Sequence, residues 1–102
     1  MTYQDVLSAL ANPTRRLLLE SLRNQPQTVG ELSSDQAVSR PAVSQHLKVL
    51  KQAGLVTNES KGTRRIYSTS AEGLIALRRY LDDYWSDALE AYGTEINRRQ
   101  TK

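Results

Sequence analysis

Arg40, Lys48, Lys51, Lys61, Arg64 and Arg65 fall within residues 37–67 against a single acid, Glu59, so six positive charges and one negative give this stretch +5. The other eight basic and ten acidic residues give −2, and the whole chain carries +3. The positive charge is gathered where a polyanion could use it. At about 100° per residue, Val43, Leu47 and Leu50 point one way, and Arg40, Pro41, Ser44, Gln45, Lys48 and Lys51 fill the opposite arc. The second arc has the chemistry of a DNA-reading face: Arg can donate two hydrogen bonds to guanine, Gln can pair with adenine, and small Ser44 lets the backbone come close. Lys48 and Lys51 suit phosphates. Lys61, Arg64 and Arg65, around Gly62, could grip sugar-phosphate or enter a minor groove, or else be charges that blunt an edge strand. Arg15 and Arg16 are further phosphate candidates.

Other chemistries are poorly supplied. The chain has no cysteine, which excludes disulfides, thiolate metal sites and cysteine nucleophiles. Its one histidine, His46, lies on the wheel nearer Val43 and Leu50 than the polar arc and reads as a packed helix residue. A metal site would have to be built from carboxylates, which suit hard ions better than zinc or copper, and Asp82, Asp83, Asp87 and Glu90 read as a solvated acidic face. Serines and threonines abound without a second histidine to activate them, and no glycine-rich phosphate loop occurs. Neither an enzyme, nor a cofactor, nor a metal is expected. Met1 to Leu10 contains Asp5 and no long apolar run, so it reads as neither signal peptide nor membrane anchor, and the cytoplasm is the expected compartment.

The basic face needs elements to position it. With 102 residues, 38% of them apolar, one domain is expected over residues 1–98, followed by a frayed tail at 99–102. The opening segment places Tyr3, Val6, Leu7 and Leu10 at helical spacing. Asn12-Pro13 starts a second helix, because Asn caps free amides and proline needs no donor in the first turn. It runs to about Asn24 and buries Leu17, Leu18, Leu19 and Leu22. Thr28-Val29-Gly30-Glu31 is a capping box that opens a short helix to about Ser34. A polar turn over residues 34–38 leads to Ser39, the cap of a helix over roughly 40–52 that Gly54 stops.

Beyond Leu55 the pattern turns β-prone, with strands over Val56–Asn58 and Arg65–Thr69 joined through Gly62. Ser70 caps a long last helix that starts near Ala71 and reaches Arg98. Its Leu74, Leu77, Leu81, Tyr84, Trp85, Ala88, Tyr92 and Ile96 form one broad stripe. That aromatic stripe is longer than a small core needs, and with Tyr3 and Leu7 it suits a self-complementary contact between two copies. A small-molecule pocket among Tyr84, Trp85 and Tyr92 is the alternative use. The fold class is mainly α with a small β-hairpin: a winged helix-turn-helix of about five helices and a two-stranded wing.

Leu10-Ala11-Asn12-Pro13-Thr14-Arg15-Arg16, Val29-Gly30-Glu31-Leu32, Ser39 through Leu50 and Ala53-Gly54-Leu55-Val56, with the Gly62 hairpin ending at Tyr67, resemble the ArsR/SmtB family of bacterial winged-helix repressors. The resemblance spans residues 5 to about 70. It implies a homodimer paired through its terminal helices, whose two reading helices enter successive major grooves of a pseudo-palindromic operator and repress by covering a promoter. Half-sites about 10 bp apart follow. Carried over, the reading residues are Arg40, Pro41, Ser44 and Gln45, with Ser39 as cap and phosphate contact. Thr28 and Gly30 stand where metal-sensing members place cysteines, and the last helix has no histidine, so metal-independent repression is expected. Gln36 and Ala37 replace the usual leucine and glycine of the turn. A small-molecule-responsive repressor and a winged-helix protein-docking module are the other two readings.

Overall fold

The computed structural model describes residues 2–100, with side chains through residue 93. Its elements are α1 (Tyr3–Leu10), α2 (Pro13–Asn24), α3 (Val29–Gln36), α4 (Arg40–Gln52), β1 (Val56–Lys61), β2 (Arg64–Thr69) and α5 (Glu72–Gln100). The described residues form the winged helix-turn-helix that the pattern announces, five helices and one antiparallel pair.

Local chemistry starts each helix. The Thr2 hydroxyl accepts from the Asp5 amide at 3.2 Å while the Asp5 carboxylate accepts from the Thr2 amide at 3.0 Å, a capping box for α1 that the sequence reading overlooked. Asn12 accepts from the Arg15 amide at 3.1 Å, and Ser39 from the Ala42 amide at 3.3 Å. Thr28 and Glu31 cap α3 reciprocally. At the end of α4, Gly54 takes φ +73°, its amide bonding Lys51 O at 3.0 Å and the Leu55 amide bonding Leu50 O at 2.9 Å. This is the Schellman stop, and Leu55 packs back fully buried.

Leu18, Leu22, Leu32, Val43, Leu47, Leu50, Leu55 and Val56 meet in one core, with Val6 and Ala9 contributed by α1. Leu17 is not part of it. Expected in the α2 stripe, it is 51% exposed, because adjacent leucines on a helix cannot all face one direction.

The hairpin is longer than expected: Lys61 pairs with Arg64, leaving only Gly62 and Thr63 as the loop. Gly62 at φ +63° and the absence of a positive φ at Thr63 fit the II′ pattern, whose twist suits two strands. Likewise α3 extends to Gln36 rather than Ser34. It ends because Ala37 adopts φ +52°, where a glycine is the easier choice, and because the Ser33 hydroxyl donates to Val38 O.

The last helix is seated at one end and free along the rest. Gly73 is buried against the α4 stop, Leu77 packs on the core, and Tyr3 stacks on Tyr80 with ring centroids 4.0 Å apart. From Arg78 to Tyr92 every residue is exposed, and the molecule extends 70 × 24 × 21 Å. The helix runs to Gln100, two residues into the segment expected as tail; Thr101 and Lys102 lie outside the described residues, as does the side chain of Ile96.

Candidate nucleic-acid interface

Burial of Val43, Leu47 and Leu50 fixes the rotation of α4, and the opposite arc is thereby turned outward. Ser39, Arg40, Pro41, Ser44, Gln45 and Lys48 are all exposed, whereas His46 is half-buried. Ser39 spends its hydroxyl on the Ala42 amide, and Pro41 occupies the first turn, where no backbone donor is needed. The exposed arc therefore carries a guanidinium, a carboxamide and an ammonium on a helix whose backbone is internally satisfied.

The wing closes on that face. Arg65 and Tyr67, two apart on β2, share a side of the strand and line a cleft of about 220 Å³ with Ser44, Lys48, Lys51 and Asn58. The structure thus brings Ser44, Lys48, Lys51 and Arg65 together. Arg64 points elsewhere: its Nη2 lies 3.2 Å from Glu31 Oε1. Both groups are well exposed, so the pair contributes little to stability. Lys61 is exposed near the wing tip.

Glu31 is the hub of this corner. Its Oε1 also accepts from the Thr28 amide and hydroxyl, each at 3.0 Å. Those bonds from Thr28, with the nearby Arg64 charge, hold the Glu31 carboxyl below its ordinary pKa despite some desolvation.

Gln27 is a position that the sequence pattern does not single out. It is buried, exchanging backbone hydrogen bonds with Tyr67 at 3.0 and 2.8 Å, and its Nε2 donates to Ser21 O at 3.0 Å and Ser21 Oγ at 2.8 Å. This bridge ties the wing to the body and so sets the wing's height over α4. A polar residue flanked by proline and a capping threonine gave no periodic signal to find it by.

Arg15 and Arg16 are engaged by the fold. Arg15 donates to Ala9 O at 2.7 Å and Ser8 O at 3.1 Å, and Arg16 to Leu10 O at 2.7 Å, capping carbonyls at the end of α1, where Ser8 O also accepts from the Ala11 amide. On α5, Leu81, Tyr84, Trp85, Ala88 and Tyr92 face outward, as Leu7 does on α1. Tyr3 and Leu77, placed with them by the stripe, make contacts inside the chain.

Among the described residues, no group of three or more His, Cys, Asp or Glu is placed to hold a metal, and no helix is long and apolar enough to cross a membrane.

Residues 12–58, from the α2 cap into β1, match the family described as bacterial regulatory protein, arsR family. The chain is 54% identical over 89 residues to the HTH-type transcriptional regulator Rv2034 of Mycobacterium tuberculosis, a match covering 87% of this chain and 83% of that one. It is 36% identical over 64 residues to the transcriptional repressor SdpR of Bacillus subtilis, covering 63% and 71%. A solved ArsR-like transcriptional regulator from Rhodococcus sp. RHA1 superimposes with a TM-score of 0.77 at 28% identity over 90% of each chain. With the exposed polar arc of α4, the basic wing and these relatives, the chain belongs to the ArsR family of bacterial transcriptional regulators, proteins that act by binding DNA.

Proposed function

We propose that this regulator is a homodimeric, metal-independent repressor that acts in the cytoplasm as a single structural unit and has no enzymatic activity. Each copy reads one half of a pseudo-palindromic operator in double-stranded DNA. Arg40, Pro41, Ser44 and Gln45 enter the major groove, with Ser39 and Lys48 on the adjoining phosphates and Lys61, Arg64 and Arg65 on the flanking backbone or minor groove. Arg15 reaches a phosphate only through the donors that α1 leaves unused. The observation that carries the reading is the shared cleft, in which a wing cation, Arg65, lines the same concavity as Ser44 and Lys48 of the reading helix.

Dimerisation is supported by the row Leu81, Tyr84, Trp85, Ala88 and Tyr92, exposed on a helix that projects from its own core. Repression is supported by likeness to a relative named as a repressor. Metal independence rests on the lack of cysteine and the single half-buried histidine. Promoter fragments selected from genomic DNA by the purified protein test the reading. Alanine at both Arg40 and Gln45 should abolish selective retention of those fragments, and undiminished retention by the double variant refutes it.

A further inference from the structure

We propose that Gly30 is a positioning residue for Arg40, and that base selectivity is set in part from α3, a helix that contributes no base contact of its own. The proposal rests on the reading of Arg40 as a base-contacting side chain.

Nothing in the backbone of α3 calls for glycine at this position. Gly30 sits in the first helical turn, two residues after the cap Thr28, and its φ is not positive, unlike those of Gly54 and Gly62. Alanine is the better helix former there. What the missing side chain does is make room. A methyl built on Gly30 would lie 3.0 Å from Arg40 Nη2, 3.2 Å from Cζ and 3.7 Å from Nε, and these three guanidinium atoms are its nearest neighbours. The arginine head therefore rests over bare α3 backbone, at the edge of an open cleft lined also by Gln27, Thr28, Glu31 and Asp35.

An exposed arginine is a long side chain with many rotamers, and two aligned hydrogen bonds to one base need its planar fork in one orientation. A resting place on α3 narrows that choice before DNA arrives, so less side-chain freedom is lost on binding. The next residue, Glu31, pairs with the wing's Arg64 at 3.2 Å, so one turn of α3 lies against an arginine from α4 and another from the wing. Because the atoms a methyl would strike are the far end of a flexible side chain, Gly30→Ala displaces the guanidinium and leaves the packing of α3 on α4 through Leu32 and Val43 intact.

The test uses the full chain and a selected operator duplex alongside a scrambled duplex of equal length, with binding measured over a range of salt for wild type, G30A, R40A and the double variant, together with melting temperatures. G30A should melt at or above the wild-type temperature, lose about tenfold in the ratio of selected to scrambled affinity, and keep the wild-type salt dependence, since no phosphate contact is removed. In the R40A background the same glycine change should cost nothing further. Wild-type selectivity in G30A overturns the proposal, as does an equal loss with and without Arg40, or a melting temperature clearly below wild type. Full selectivity in R40A overturns the underlying reading of Arg40 and the proposal with it, whereas a failure confined to G30A leaves that reading standing.

Discussion

The amide of Gly73 donates to the carbonyl of Gly54 at 2.8 Å, so the first turn of the long last helix is bonded to the stop of α4. A β-carbon on Gly73 would lie 2.3 Å from Ala53 O and 3.1 Å from the Gly54 carbonyl, and the backbone there cannot give way as a side-chain tip can. Gly73→Ala should cost about 1–3 kcal/mol through overpacking. Thermal unfolding checks this; a variant that melts with the wild type shows that the seat is loose.

Ala37 stands at φ +52°, a conformation that costs an L-residue about 1–2 kcal/mol and glycine almost nothing. Ala37→Gly should stabilise the chain by about 0.5–1 kcal/mol once glycine's greater freedom in the unfolded chain is deducted. Denaturant titration measures the difference, and a lower midpoint for the glycine variant contradicts it. DNA selectivity should not change, since the turn keeps its shape.

Glu31 has its pKa lowered in the folded chain, chiefly by the Thr28 amide and hydroxyl and then by Arg64. A carboxyl depressed on folding stabilises above its unfolded pKa, and that contribution is lost as pH falls through the folded value. The melting-temperature advantage of wild type over Glu31→Gln should therefore be full at neutrality and shrink on acidification through the lowered Glu31 value. An advantage independent of pH over that interval removes the capping carboxylate as its source.

Trp85 is 63% exposed at the centre of the projecting stripe. If the proposed dimer pairs through this face, Trp85→Glu places a charge in it and shifts the protein to monomer, with operator affinity falling roughly a hundredfold as the second half-site loses its effective concentration. Sedimentation at several concentrations reads the first effect and titration of a two-half-site duplex the second. A variant that sediments and binds like wild type argues against pairing through this face.

Three helix starts were legible because each is written in two to four neighbouring residues, Asn12-Pro13, Thr28 with Glu31 and Ser39 with Pro41, whereas the Thr2–Asp5 box of α1 went unread. The outward arc of α4 was legible because its apolar residues recur at spacings of three and four. Gln27, Gly30 and Gly73 were not read as structural positions. The role of each lies in contact with a residue far along the chain: Tyr67 for Gln27, Arg40 for Gly30, and Ala53 with Gly54 for Gly73.

The amino-acid order by itself determined the winged helix-turn-helix, the stop at Gly54 and the concentration of charge over residues 37–67, because capping, periodicity and turn conformation are short-range effects. The tertiary structure decided which cations share a surface. Arg65 joins Ser44 and Lys48, Arg64 turns to Glu31, Arg15 is drawn onto the carbonyls of α1, and Arg40 rests over Gly30. Arg64 and Arg65 are neighbours of like charge, and only the pleat of β2, the bridge from Gln27 to Tyr67 and the docking of α3 beneath the wing send them to different partners.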